Sequence, residues 1–250
     1  MFQLLPFDSE LFGFPVAVSP EGGSTERELA TILTTAKGQD VGLVYVMRPQ
    51  PLDADLLHRL GGRLVDRKTC LAKTSLDQSR SSDAGRAESE VQVVEYEGDE
   101  VEPALVELAI TSGALSRFRI DDRVPDGIFE TLYRTWIERS VRHEIADAVL
   151  VARDSNSDLV GMITIGRHRA VRANIGLVAV APSAQGKGVG KALLAAAERY
   201  CIAHGFRELQ VVTQGENVAA IRLYGAGGFN VESVVAFHHF WLGSGRRDAR

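Results

Sequence analysis

Residues 178–194 read VAVAPSAQGKGVGKALL, an apolar run that passes through Gly186, Gly188 and Gly190 into a stretch with helical spacing. A strand that turns through glycines into a helix leaves unpaired amides and the positive end of the helix dipole pointing outward. That combination receives an anion, most commonly a phosphate. With the further strands and helices along the chain, it leads to the expectation of an α/β (α+β) fold, a mixed sheet with helices on its faces. Two phosphate-loop templates do not fit. A P-loop needs a hydroxyl after its lysine, and Lys191 is followed by Ala192. A dinucleotide loop has Gly-x-Gly-x-x-Gly directly after its strand, whereas here a Pro182-Ser183-Ala184-Gln185 spacer precedes glycines set two apart.

The rest of the chain restricts which anion this can be. The 250 residues are 45% hydrophobic, ample for a packed core. A formal charge of -5 argues against nucleic acid or an anionic membrane as a partner of the whole protein, so the phosphate site is local. There is no run of eighteen apolar residues and no basic region in MFQLLPFDSE, so neither a membrane span nor a signal peptide is expected. Cys70 and Cys201 form no CxxC and read as two buried thiols in a cytoplasmic protein. No metal site is expected: His143-Glu144 lacks the second histidine of HExxH, and His238-His239 on a strand point to opposite faces.

Residues 1–75 are expected to form a small N-terminal α/β domain, with strands at GLVYVM and RLVDRKTCLAK and helices at TERELATILTTAKG and DADLLHRLGG. Residues 76–90, LDQSRSSDAGRAESE, are nearly free of large apolar side chains and read as a linker. Residues 91–243 carry a longer order: strand, two amphipathic helices, three strands, the glycine loop with its helix, strand, short helix and closing strands. The helix after the loop has Val189, Leu193, Ala197, Tyr200 and Cys201 on one stripe and Gly205 as its stop. Residues 244–250 form a polar tail. There is also an internal echo. HRLGGRLVDRKTCLAK (58–73) parallels YGAGGFNVESVVAFHH (224–239), each a helix end, Gly-Gly and a strand, a similarity that chance or an internal repeat would equally produce.

The pattern Gln185-x-x-Gly188-x-Gly190 after a strand and a proline resembles the coenzyme A pyrophosphate signature of the GCN5-related N-acetyltransferase (GNAT) superfamily. The order of elements over 91–242 is similar to that superfamily's as well. QGENVAAIRLYGAGGF (214–229) resembles its next motif. The resemblance implies a mixed, mostly antiparallel central sheet flanked by helices, with acetyl-CoA as cosubstrate. It assigns the pyrophosphate to Gln185, Gly186, Lys187, Gly188, Val189, Gly190 and Lys191, and backbone contacts with the pantetheine and acetyl oxygen to Leu177, Val178 and Val180, through a bulge that splays their strand. Asn217 would cap the short helix and hold the cosubstrate. Tyr224, seven residues on and on nearly the same face, would be the acid that protonates the departing thiolate. A buried Tyr packing its ring is the alternative. With no Cys in a motif, transfer would be direct, in a ternary complex.

LPFDSELFGF, ALSRFR (114–119), YRTWIERSV (133–141) and NVESVVAFHHFWL together resemble the TDP-fucosamine acetyltransferases, over almost the whole chain. This implies a small-molecule nucleotide sugar as acceptor, acetylated on the 4-amino group of a TDP-linked 4-amino-4,6-dideoxyhexose. Arg117 and Arg119, flanking Phe118 at the end of a predicted helix, would offer forks to a diphosphate and a ring to a base or sugar, or else form an exposed pair beside a buried ring. Tyr133 and Trp136 either wall the acceptor cleft or pack in the core. Two further readings stay open at this level: another amine as acceptor (a protein N-terminus, a polyamine, an antibiotic) and a non-catalytic acyl-CoA-binding module. Whether the chain is a monomer or a homodimer is also open.

Overall fold

The computed structural model of the protein describes residues 2–20, 25–76 and 91–243. The first segment runs β1 (Gln3–Leu4), α1 (Pro6–Phe12), β2 (Val16–Val18), α2 (Glu26–Lys37), β3 (Leu43–Arg48), α3 (Ala54–Leu60) and β4 (Gly62–Lys73). Local chemistry marks the boundaries. Pro6 sits in the first turn of α1, and Gly13 ends it at φ 72°. Thr25 and Glu28 form a complete capping box at the start of α2. Asp53 accepts the amides of Asp55 and Leu56 at the start of α3, and Gly61 closes that helix at φ 68°.

The second segment runs β5 (Gln92–Glu95), α4 (Pro103–Ser112), α5 (Arg117–Ile120), α6 (Ile128–Val141), β6 (Ala148–Arg153), β7 (Leu159–Arg169), β8 (Arg172–Val180), α7 (Val189–Ala203), β9 (Glu208–Gln214), α8 (Val218–Ala226) and β10 (Asn230–Trp241). The expected helices and strands are present, with α4 beginning only at Pro103. The closing apolar stretch is one twelve-residue strand with two irregularities against β4. β1, α1 and β2 at the start carry no clear periodicity. The proposed linker falls outside the described residues except for Leu76, whose amide donates to the Arg207 carbonyl, and the tail lies outside them. Of the two thiols, Cys201 is buried and Cys70 is half-buried, so the expectation of two buried thiols is corrected for Cys70.

All ten strands join one sheet in the order β1-β2-β3-β10-β4-β9-β8-β7-β6-β5. Neighbours are antiparallel except β2 with β3 and β8 with β9. One face packs on α1, α4, α5 and α6 through Phe12, Leu105, Leu132 and Ile137. The other is covered at one end by α2 and at the other by α7, through Leu29 and Leu33 and through Val189, Leu193 and Cys201. Among the described residues no helix is long and apolar enough to cross a membrane.

The sheet runs across the boundary suggested by composition. β2, α2, β3, α3 and β4 repeat the order of β8, α7, β9, α8 and β10, and in each set the first two strands are parallel neighbours. The last strands are exchanged: β4 lies against β9, and β10 lies against β3. The echo between 58–73 and 224–239 corresponds to these two α–Gly–β units, whose strands pair antiparallel from Asn230↔Ala72 to Phe240↔Gly62. Buried Asp121, just after α5, fastens the end of β10. Its Oδ2 accepts from Trp241 Nε1 at 2.9 Å and lies 2.7 Å from His239 Nδ1, while Oδ1 accepts from Arg123 at 3.0 Å. Burial alone would raise this carboxyl, and the hydrogen bonds from His239, Arg123 and Trp241 outweigh it and hold it well below the ordinary carboxylate range.

Candidate active site

β8 and β9 pair from Arg172↔Glu208 to Ile175↔Val211 and then part. The cause is visible on the other side of β8. Its register against β7 shifts between Ile175↔Ile165 and Val178↔Ile163, so Gly176 and Leu177 together face Thr164. Thr164 is buried, and its Oγ1 accepts the Leu177 amide at 2.8 Å. A Cβ on Gly176 would come within 2.8 Å of that hydroxyl, so only glycine leaves room for it. The Ala181 amide bonds back to the Val160 carbonyl at 2.8 Å. Because amide direction alternates along a strand, the amides of Val178 and Val180 then point into the gap beside β9. The bulge expected from the resemblance is therefore present. One assignment is corrected: the Leu177 amide is used by Thr164, and Leu177 meets the cavity through its side chain.

Beyond the gap lies the glycine loop. Gly186 and Gly188 have φ of 78° and 83°, backbone that an L side chain rarely adopts. Gly188 is the N-cap of α7 and offers no side chain to the helix start. The first helical bond runs from the Ala192 amide to the Gly188 carbonyl at 3.0 Å, and among the described residues no acceptor takes the amides from Gly186 to Lys191. Gly190 has a different reason: a Cβ there would sit 3.3 Å from Leu223, so it lets α7 and α8 approach. Gln185 folds back and donates to the Val180 carbonyl at 3.2 Å. Lys191 lines the cavity that begins here; Lys187 does not.

That cavity, of about 1000 Å³, extends from the loop through the gap to the face carrying α4, α5 and α6. Asn217 caps α8 by accepting the Ala220 amide at 3.1 Å, and it lines the cavity. So does Tyr224, although it is only 1% exposed, with Phe229 against its ring at 5.7 Å. Burial raises the Tyr224 phenol above its ordinary value, which keeps its proton in place at neutral pH.

At the far end stands Arg117. Its guanidinium carbon lies 4.1 Å from the Phe118 ring centroid, 4.5 Å from Phe237 and 5.1 Å from Tyr45. Its Nε is buried without a hydrogen-bond partner. Phe118, Tyr133 and Trp136 also line the cavity, and Tyr133 is packed between Phe129 and Trp136 as well, so it both walls the cleft and belongs to the core. Arg119 does not join Arg117. The two residues begin a separate four-residue helix, on which positions two apart diverge by about 200°. Arg119 instead lies over Phe129 and meets Glu130 at 3.3 Å on the surface. Neither the pair of forks nor the exposed pair is found: Arg117 reaches the cavity and Arg119 the surface. His143 and Glu144 lie away from the cavity, with Glu144 held by Arg139 at 2.9 Å.

Seven lining residues come from the first segment, and the four with polar groups are Asp8, Tyr45, Asp66 and Lys68. The signal that points to the last two is alternation along β4, which puts a charged pair on one face beside otherwise apolar positions.

A strand splayed from its parallel neighbour thus leads to a helix start without side-chain caps, an arrangement that can take an anion on its backbone. In agreement, residues 117–229 match the acetyltransferase (GNAT) family. Over 190 residues the chain is 35% identical to the dTDP-fucosamine acetyltransferase of Escherichia coli O6:H1, covering 76% of this chain and 75% of that one. The chain belongs to the GNAT family and is an acetyl-CoA-dependent N-acetyltransferase. Solved structures share the fold. A GCN5-related N-acetyltransferase from Sphaerobacter thermophilus superimposes with a TM-score of 0.62 at 19% identity, over 98% of this chain and 77% of that one. A tandem GNAT protein from the clavulanic acid biosynthesis pathway gives 0.59 at 16% identity, over 92% and 76%.

Proposed function

We propose that the protein transfers the acetyl group of acetyl-CoA directly, in a ternary complex, to the 4-amino group of a TDP-linked 4-amino-4,6-dideoxy sugar. The observation that carries this reading is one cavity joining two differently built ends. The loop end offers the unpaired amides of 186–191 to a pyrophosphate, and the gap offers those of Val178 and Val180 to the pantetheine and the thioester oxygen. The other end offers a single guanidinium, its Nε unpartnered, among aromatic rings, suited to the diphosphate and flat base of a nucleotide sugar. The identity to dTDP-fucosamine acetyltransferase supports the same acceptor class.

The chemistry follows from placement. The neutral amine attacks the thioester carbon; charge gathers on the carbonyl oxygen, which the strand amides stabilise. As the tetrahedral intermediate collapses, Tyr224 gives its proton to the leaving sulfur. The phenol regains a proton from the nitrogen that has become an amide.

The test is thiol release from acetyl-CoA with TDP-4-amino-4,6-dideoxygalactose, set against spermidine, an N-terminal peptide amine and an aminoglycoside. Turnover with the nucleotide sugar should exceed the others by about 10²-fold or more, and TDP should compete with the acceptor alone. Equal rates with all four amines, or no inhibition by TDP, would remove the nucleotide sugar from the reading while leaving the transferase intact.

A further inference from the structure

An amine in water at neutral pH is mostly ammonium and cannot attack until it loses a proton. Among the described residues lining the cavity there is no histidine, and the carboxylates are Asp8 and Asp66. Asp8 Oδ1 is occupied by the Tyr45 hydroxyl at 2.9 Å. Asp66 Oδ1 is buried and has no hydrogen-bond partner.

Strand register fixes where that oxygen stands. Where β9 parts from β8 after Val211, its next residues Val212, Thr213 and Gln214 line the cavity across from the free stretch of β8 that holds the Val178 amide. Gln214 pairs with Lys68 on β4. Asp66 lies two residues, about 7 Å, further along the same face, opposite Phe237 and on the side where Arg117 closes the cavity. An unpaired carboxylate oxygen is thus held between the amide-lined stretch and the end offered to the acceptor.

We propose that Asp66 receives the ammonium group of the acceptor and takes its proton before acetyl transfer. One N–H bond breaks and one O–H bond forms, giving a neutral amine and a neutral carboxylic acid side chain. The acid returns its proton to solvent after the product leaves. This rests on the acceptor being an amine, and not on the sugar nucleotide.

The charged groups around Asp66 suit the task. Burial raises its carboxyl to about 6; Arg117 from α5, the Arg67 backbone amide and Lys68 on its own strand oppose that rise, and Glu216 in the turn before α8 adds to it. Tyr133 from α6 faces the same charges and stays protonated through burial. The group is therefore ionised at neutral pH and able to accept, and its capacity is lost as pH falls through about 6.

The experiment measures kcat/KM against pH for the wild-type protein and Asp66→Asn, using whichever amine of the four above turns over fastest, with acetyl-CoA affinity by titration alongside. Wild type should show an acidic limb near pH 6. Asp66→Asn should fall about 10²-fold or more at pH 7 and recover as pH rises toward the amine's own pKa, with acetyl-CoA affinity within twofold. A loss that stays constant with pH, or a profile within threefold of wild type, would overturn the proposal. Should the variant unfold, or no amine turn over, carbon-13 titration of the wild-type Asp66 carboxyl decides: an ordinary carboxylate value overturns the assignment, and one near 6 supports it. Failure of the nucleotide-sugar reading shows separately, as a different best amine.

Discussion

The two β-α-β-α-β units, β2 to β4 and β8 to β10, share one order of elements and end in opposite chemistry. In the first, α2 begins with a box in which Thr25 accepts the Glu28 amide and Glu28 accepts the Thr25 amide at 2.7 Å, so its exposed donors are consumed internally. In the second, α7 begins at Gly188 with no side chain in reach, and its donors face a cavity. The first parallel pair, β2 with β3, is joined along its whole length from Val16 to Val18; the second opens after Ile175. The echo aligns His58 with Tyr224, but His58 is exposed on α3 whereas Tyr224 is enclosed against the cavity. A helix start becomes a binding site only when nothing local fills it, and a parallel pair becomes a cleft only when something holds it apart. The first unit lacks both conditions. Its contribution is β4, which closes the edge of β9 and delivers Asp66 and Lys68.

The strongest way to break this comparison is to remove the first unit. Deleting residues 2–76 strips β9 of one neighbour and β10 of both, exposing long unpaired edges. The remainder should show no cooperative thermal transition by circular dichroism; a sharp transition would mean that the units fold independently and that the strand exchange is incidental. Next in size, Tyr224→Phe should lower turnover about 10²-fold while acetyl-CoA affinity, read by calorimetry, stays put. Unchanged turnover would make Tyr224 a packing residue.

Gly188→Val tests the open helix start. No atom lies within 4 Å of the added Cβ, so the cost to the fold is confined to φ of 83°, about 1–2 kcal/mol. The methyl groups would occupy the space in front of the amides, and acetyl-CoA should bind about tenfold more weakly or worse. Thr164→Val probes the wedge that opens β8 from β9. It removes the acceptor of the Leu177 amide, and a few-fold rise in the acetyl-CoA KM is expected, restored in Thr164→Ser; an unaffected KM would show that the bulge holds without the hydroxyl. The smallest effect belongs to the filled helix start. Thr25→Ala should cost about 1 kcal/mol in urea unfolding and leave acetyl-CoA binding unaltered.

Much of the second unit could be read directly from residues. The three glycines and their spacer announce the anion site because their reason is local, although only the structure separates Gly186 and Gly188, needed for φ, from Gly190, needed for the contact with Leu223. Asn217 and Tyr224 were legible because one helix relates them. The acceptor end was not. Asp8, Tyr45, Asp66 and Arg117 come from α1, β3, β4 and α5 and meet at one cavity only through the tertiary fold, and no spacing records that. Arg119 was misplaced for a local reason: on the four-residue helix that holds both arginines, positions two apart diverge by about 200°.

The sequence by itself determined the elements, the caps and the exposed amides of the glycine loop, because these depend on residues a few positions apart. Tertiary structure alone decided that β4 and β10 change places, that Thr164 takes the Leu177 amide, and that Asp66 is left with an unpaired oxygen beside Arg117. Those outcomes depend on strand pairing between distant segments, and pairing is chosen by how the whole sheet buries its two faces, which no single stretch of chain encodes.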